Sequence, residues 1–370
     1  MANNKLHSWI RKIRMEWGFD SLAAISRLTA ISRTTAFSSI VALGSMLSSC
    51  NDLMHDDLPP CDMGVDLQFK YDYNVQRADM FNDHVGGVSV FVFDEQGNLV
   101  ARQDAANEGK SRPLKDPNYA MRIDLQPGKY HFATFAFQKK YEEALSQAGA
   151  KFHIKAPAAG ESIEKLRARL DRNAGKVENQ ALPLDTLWQG LSNETVEVKD
   201  LQITHHTISL HQLDEPADIH ADDFSYQITD ANGYINYDNS LLPDEELTYT
   251  PYKTWTTEFT TPEGTVQERT AHAALMFSRL VLHPATENDK NAILSIWNKK
   301  TDEEVVRINL ADFLAQGRGA FEAMNYSAQE FLDREYDYKL DFFLKGDKWQ
   351  YVKLGISILD WSKRIQRADL

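Results

Sequence analysis

The sequence predicts a mainly β protein built as two consecutive β-sandwich domains with one or two short helices. Three observations carry that expectation. Short runs of alternating apolar and polar residues recur along most of the chain, as in Val65, Leu67, Phe69 and Tyr71 against Asp66, Gln68, Lys70 and Asp72. Turn-forming residues separate the runs, as at Asp94-Glu95-Gln96-Gly97-Asn98 and Pro127-Gly128. The pattern then restarts near Asp214, so one sandwich is expected over 62–213 and a second over 214–370.

The strands can be taken in order. After the run from Val65, the apolar stretch Val88-Ser89-Val90-Phe91-Val92-Phe93 and Leu99-Val100-Ala101 read as a hairpin. Met121, Ile123 and Leu125 form the next strand, and Tyr130, Phe132, Thr134 and Phe135 return after Pro127-Gly128. Residues 161–172 place Ile163, Leu166 and Leu170 on one face of a charged segment, which predicts a helix inserted between strands. Two strands are expected at 194–201 and 204–213. In the second half Phe224, Tyr226 and Ile228 alternate before the turn Asp230-Ala231-Asn232-Gly233. Further strands are expected around 247–260, 270–282, 292–298 and 303–309, with one helical turn at 328–333. Residues 336–344 and 349–359 read as a last hairpin, turned at Lys345-Gly346-Asp347.

Ahead of the sandwiches, residues 1–49 read as an export signal. Sixteen uncharged residues separate Arg33 from Cys50, preceded by Arg27 and Arg33 and ending in Leu47-Ser48-Ser49. The segment is shorter than the roughly 20 apolar residues that a membrane span needs. Leu47-Ser48-Ser49-Cys50 resembles the lipobox of a lipoprotein signal, which implies cleavage between Ser49 and Cys50 and acyl chains on Cys50. Two or more such chains anchor a protein stably where one holds it only marginally. The mixed segment 1–26 is either a tolerated extension or the product of a start assigned ahead of Met15. Residues 50–61 then form a polar tether ending at Pro59-Pro60. Its acidic residues Asp52, Asp56 and Asp57 behind Cys50 resemble the surface-export signal of Bacteroidota lipoproteins.

Charge and composition exclude several classes. The chain holds 54 acidic against 40 basic residues. Without the two acidic and six basic residues of 1–49, 52 remain against 34, a net charge of −18. Such a surface opposes nucleic acid and anionic lipid, so no nucleic-acid partner is expected and membrane attachment falls to the acyl chains. Only Cys50 and Cys61 are present, which excludes a disulfide framework and a zinc site of several thiolates. Cys61 is expected as a small buried residue at the start of the first strand, with a reactive thiol or part of an intermolecular bridge as the other readings.

Few motifs suggest chemistry. His205, His206, His211 and His220 stand near Asp214, Glu215, Asp218, Asp222 and Asp223. Adjacent strand residues point to opposite faces, so His205 and His206 cannot grip one ion, and no metal or cofactor is expected. Nucleophile elbow, phosphate loop and zinc-protease patterns are absent from the sequence. Glu142-Glu143 and Glu303-Glu304 lack a cleft signature, and no catalytic residue is assigned. The aromatic strands around Phe91, Phe93 and Phe135 could form a carbohydrate platform, but sandwich core is the simpler reading.

A family resemblance then spans the chain after its signal. Leu58-Pro59-Pro60-Cys61, Gly64-Val65-Asp66-Leu67-Gln68-Phe69, Ala78-Asp79-Met80-Phe81, Val90-Phe91-Val92-Phe93-Asp94, Asp124-Leu125-Gln126-Pro127-Gly128-Lys129-Tyr130 and Leu187-Trp188-Gln189-Gly190 carry its first half. Ile228-Thr229-Asp230-Ala231-Asn232-Gly233, Tyr249-Thr250-Pro251, Phe331-Leu332-Asp333-Arg334 and Ile358-Leu359-Asp360-Trp361 carry the second. Together they resemble the FimB-type fimbrial anchor lipoproteins of type V fimbriae. The resemblance implies two transthyretin-like sandwiches at the base of a fimbria on the outer membrane, with Cys50 as the lipid site. Its implied partners are fimbrillin subunits, met by strand exchange or edge contact, and it brings no catalytic residue. Where members carry a second Cys before the Val-x-Val-Phe-Asp strand, this chain has Gly86-Gly87. The alternative function is a surface glycan-binding lipoprotein, which would share the signal and the β-rich body.

Overall fold

The first half is organised around strands that are buried on both faces. Its strands are β1 (Val65–Tyr73), β2 (Gly87–Asp94), β3 (Leu99–Ala106), β4 (Ala120–Ile123), β5 (Tyr130–Phe137), β6 (Phe152–Lys155), β7 (Arg167–Leu170), β8 (Leu187–Ser192) and β9 (Val196–Asp200). The computed structural model describes residues 63–146, 149–177, 187–192, 196–200, 204–214, 219–319, 325–358 and 361–368. The signal, Cys50, Cys61 and the tether fall outside them. Seven strands join in the order β3-β2-β5-β8-β9-β1-β4. β1 changes partner along its length, antiparallel to β4 over 65–68 and then parallel to β9. The sheet curls, so Leu67 and Tyr71 of β1 and Met121 and Ile123 of β4 pack over Val88, Val90, Val92, Phe132 and Ala136. The opposite face of β2 and β5 carries Phe91, Phe93, Phe135 and Phe137, also buried. The unbroken apolar runs at 88–93 and 132–137 follow from that double burial.

The second half holds β10 (Thr204–Gln212), β11 (Phe224–Asp230), β12 (Tyr234–Asn236), β13 (Leu247–Tyr249), β14 (Lys253–Thr260), β15 (Val266–Phe277), β16 (Ile293–Asn298), β17 (Glu303–Asn309), β18 (Asp337–Lys345), β19 (Lys348–Ile358) and β20 (Trp361–Ala368). A six-stranded sheet, β14-β15-β10-β18-β19-β20, packs against a four-stranded one, β13-β11-β16-β17. Alternation sets the inner faces: Phe224, Tyr226 and Ile228 of β11 and Tyr338, Leu340, Phe342 and Leu344 of β18 are all buried. Although β10 precedes the restart near Asp214, it is hydrogen-bonded within this second sheet, antiparallel to β15 and parallel to β18.

Among the described residues four short helices decorate the sheets: α1 (Phe81–His84), α2 (Tyr141–Ser146), α3 (Leu310–Ala315) and α4 (Ala328–Arg334). The Ser327 hydroxyl caps α4 by accepting from the Glu330 N–H at 3.1 Å. The helix expected over 161–172 is not formed. A single 3-10 turn covers Ile163–Lys165, and β7 follows, paired on one side with β6 and on the other with β12. Leu166, Ala168 and Leu170 fit a period of two as well as Ile163, Leu166 and Leu170 fit a helix, and pairing on both edges decides the outcome. Arg167 and Arg169, on the other face, lie over the Tyr234 ring.

That three-stranded sheet, β12-β7-β6, draws strands from both halves and covers the inner phenylalanines of β2 and β5. One continuous core results, from Phe91 and Phe135 through Leu166 and Leu170 to Ile228, Leu275 and Phe342. Residues from Met63 onward accordingly form one compact unit. Arg172, just beyond β7, reaches into the second half with its Nη1 on Asp244 and its Nη2 3.1 Å from the Gly233 carbonyl. Side chains of this pair are only 7% and 4% exposed. Gly233 leaves room for this contact: a Cβ there would lie 2.6 Å from Arg172 Nη2 and 2.5 Å from Leu247 Cδ1, so both side-chain ends would have to shift. A second clasp places the Arg334 guanidinium 4.0 Å from the Tyr73 ring centroid and 4.9 Å from that of Tyr326, while Arg77 Nε donates to Tyr326 Oη at 2.9 Å.

Removing one partner of a buried ion pair leaves the other charge uncompensated. Arg172→Ala should therefore cost about 3–5 kcal/mol in denaturant unfolding, and Arg172→Met with Asp244→Leu should recover part of that loss. A loss under about 1 kcal/mol for Arg172→Ala would show that the pair does not hold the halves together.

Candidate functional site: open strand edges and the outer sheet face

Sheet edges are where this architecture can accept another chain, since a terminal strand presents unpaired backbone groups. One such edge is the β14–β15 hairpin. β14 ends the six-stranded sheet, and most of its residues are solvent-exposed. Phe259 (63% exposed) and Val266 (37%) sit near its turn, away from the core. The pairing of Glu258 with Arg269 at 2.8 Å braces this arm across its two strands. β3 ends the seven-stranded sheet. Its outer edge is met at Leu99, whose N–H donates to the Glu161 carbonyl and whose carbonyl accepts from Gly160. Beyond Leu99 no described strand pairs with that edge.

The outer face of the six-stranded sheet carries a ladder of rings. Trp255 of β14 stacks on His272 of β15 at 5.0 Å; His211 of β10 stacks on Phe343 of β18 at 4.6 Å; Phe343 stacks on Tyr351 of β19 at 4.4 Å. Lys253 lies over Trp255 and Lys353 over Phe343. His211 Nδ1 is 3.2 Å from Glu268 Oε1 and its Nε2 is 3.7 Å from Asp341 Oδ1. Burial alone would lower the His211 imidazole, but Asp341 and Glu268 outweigh it and raise it above the usual range. Burial, with His211 nearby, lowers His272, which bridges Ser209 Oγ at 3.0 Å and Thr257 Oγ1 at 2.7 Å.

The histidines singled out in the sequence are thus dispersed. His206 is buried and stacks on Tyr338 inside the sandwich, while His211 faces outward and His220 is exposed ahead of a 3-10 turn. Among the described residues no three His, Cys, Asp or Glu side chains converge to hold a metal ion. Phe91, Phe93 and Phe135 belong to the core and form no surface platform. Ser49 and Cys50 fall outside the described residues. Among the described residues no helix is long and apolar enough to cross a membrane.

Among the described residues two carboxyls are strongly raised, Asp230 at the end of β11 and Glu335 just after α4. Burial pushes Asp230 up to about 7, its Oδ1 accepting from the Ala231 N–H at 2.7 Å. Glu335, between α4 and β18, is pushed by burial up to about 8. Its Oε1 accepts from the N–H groups of Tyr336 and Asp337, both at 3.0 Å, and its Oε2 is buried without a hydrogen bond among the described residues. Sequence reasoning missed both, because burial of a polar residue at a strand end has no local signature.

The architecture is that of surface adhesins and fimbrial anchors of Bacteroidota. A candidate adhesin from Bacteroides thetaiotaomicron is 28% identical, with a TM-score of 0.67 over 84% of this chain and 100% of its own. A candidate polysaccharide-binding protein from the same species is 27% identical, with a TM-score of 0.64 over 82% of this chain and 98% of its own. The fimbrial anchor protein Mfa2 from Porphyromonas gingivalis shares the fold at 15% identity, with a TM-score of 0.52 over 82% of this chain and 99% of its own. Comparison with curated proteins gives no match. The chain belongs to the family of Fimbrillin-A associated anchor proteins Mfa1 and Mfa2, whose pattern it matches over residues 58–367. The fimbrial-anchor resemblance in the sequence holds at the level of that family, and the protein is fimbria-associated.

A carboxyl whose folded-state pKa is raised favours the protonated form in the native state. Its contribution is complete below the unfolded value of about 4.3 and is lost as pH rises through the folded value. For Glu335 that window runs up to about 8. Glu335→Gln keeps an acceptor for both N–H groups and cannot ionise. It should retain on the order of 2 kcal/mol that the parent loses between pH 6 and pH 8.5. Parallel unfolding curves at the two pH values for both proteins would refute this.

Proposed function

We propose that this chain is an outer-membrane lipoprotein that holds a fimbrial filament at the cell surface. Acyl chains on Cys50 moor it, residues 51–61 form the tether, and an open sheet edge receives a fimbrillin subunit by edge contact or strand exchange. The observation that carries this reading is the family match over 58–367, which begins within the tether and takes in both halves. Two features support it physically. Strand edges at β3 and β14 stand open among the described residues, the form in which a sheet accepts another chain. A net charge of −18 beyond residue 49 leaves lipid, and not basic patches, to supply membrane affinity.

The glycan-binding alternative would need ring faces turned to solvent. In the outer-face ladder the rings of His272, His211, Phe343 and Tyr351 turn their faces toward neighbouring rings. That geometry serves cross-strand packing better than sugar stacking.

Cys50→Ala should leave the fold intact and send the protein, together with its filaments, into the medium. Fractionation of cells and medium measures both. Normal surface filaments on cells carrying only the variant would overturn the anchoring role.

A further inference from the structure

The open edge of β3 is bordered by a formed cavity. The cavity, about 250 Å³, is lined by Gly87 and Ser89 of β2, Asp104 and Ala106 of β3, Phe137 of β5 and Tyr141 of α2. It exists because small residues meet there. Gly86 and Gly87 let the chain at 138–140 cross the start of β2, since a Cβ at either would lie 2.0 Å from the Gln138 carbonyl oxygen or 2.5 Å from that of Lys139. Ser89 and Ala106 then leave the floor low, while the Phe137 and Tyr141 rings, 4.8 Å apart, form an aromatic wall. Tyr141 is fixed in place by accepting from the Ile154 N–H at 2.7 Å.

The rim is acidic. Asp104, Glu108 and Glu142 line it; Lys140 is paired with Glu108 at 2.7 Å and Arg102 Nη2 lies 3.1 Å from Asp104 Oδ1, which leaves one carboxylate in excess. Directly paired residues of adjacent antiparallel strands share a face, and Gly87 is paired with Ala106, Ser89 with Asp104 and Gly87 with Phe137. A strand added alongside β3 would therefore send alternate side chains onto the face that bears this cavity.

We propose that β3 is the edge that receives the fimbrial partner, and that a lysine or arginine of the partner's strand reaches over Ala106 into this cavity. The choice of side chain follows from the lining. A long unbranched stem fits past Ala106 and lies against the Tyr141 ring, and its cationic head balances the excess carboxylate beside Glu142. An acidic or short side chain would leave that one excess carboxylate unbalanced. Backbone pairing along 100–106 supplies affinity and the cavity supplies register and selectivity.

This inference rests on the anchoring role proposed above, and two measurements keep the two apart. The first uses the purified lipidated chain in detergent and three soluble nine-residue peptides of alternating valine and threonine, with a central lysine, norleucine or glutamate. The lysine peptide should bind about three- to tenfold more tightly than the norleucine one at low salt, converge with it at 0.5 M salt, and slow hydrogen exchange at 100–106. Asp104→Lys with Glu142→Lys, both exposed positions, should abolish that preference without changing the melting temperature. Equal affinities for the three peptides, or protection elsewhere than 100–106, would overturn the proposal. The second measurement puts the same double variant, with Cys50 intact, into cells. It should stay in the membrane while filaments are shed. If it retains filaments whereas Cys50→Ala sheds them, the β3 edge is wrong and anchoring stands; if Cys50→Ala sheds none, anchoring itself fails and this proposal falls with it.

Discussion

Burial of β2 and β5 on both faces is the constraint on which the rest of the fold depends. A strand hydrophobic on one side needs one covering layer; these need two. Val88, Val90 and Val92 are covered by the curled-over β1 and β4, whereas Phe91, Phe93 and Phe135 need a second cover from beyond their own sheet. The β12-β7-β6 layer provides it, and because β12 comes from the second half, satisfying those phenylalanines ties the halves into one core. Each such aromatic contributes roughly 1.5–3 kcal/mol on burial, so separating the halves would expose more apolar surface than a flexible linker between domains allows.

Polar groups at this junction make it specific. Arg172 is satisfied by Asp244 and by the carbonyls of Leu170 and Gly233, and the lack of a side chain at residue 233 leaves its guanidinium undisplaced. The Tyr73–Arg334–Tyr326–Arg77 stack adds a further contact between the halves. Both clusters occur in a strongly acidic chain, where the few arginines at the joint are ringed by carboxylates such as Asp333 and Glu330. Hydrophobic area alone would tolerate sliding; directional bonds of this kind oppose it.

Much of the fold was legible because β1, β11 and β18 each bury one face and so advertise their period. Continuous runs such as 88–93 also read correctly as strands, although nothing local said that both sides were covered. The misreading at 161–172 has a clear physical origin. Four-residue strands leave too few positions to separate a period of two from one of 3.6, and the deciding partner, β12, is more than sixty residues away. The candidate surfaces were less legible still. Trp255, His272, His211, Phe343 and Tyr351 come from five strands, and only the register of the assembled sheet aligns them. Gly86-Gly87 was visible as a departure from a Cys-bearing pattern, but its role in admitting the 138–140 crossing depends on a contact fifty residues away.

The two-partner pairing of β1 bears on mechanical load. Any pull transmitted from the N-terminal side enters the folded body at the head of this strand. Its hydrogen bonds run across the strand axis, to β4 over the leading half and to β9 over the trailing half. A force directed along that axis would strain the whole set at once instead of peeling it rung by rung, so rupture would demand the simultaneous loss of many bonds. Where the first strand points therefore matters, under a pull from that side, as much as how tightly the core is packed.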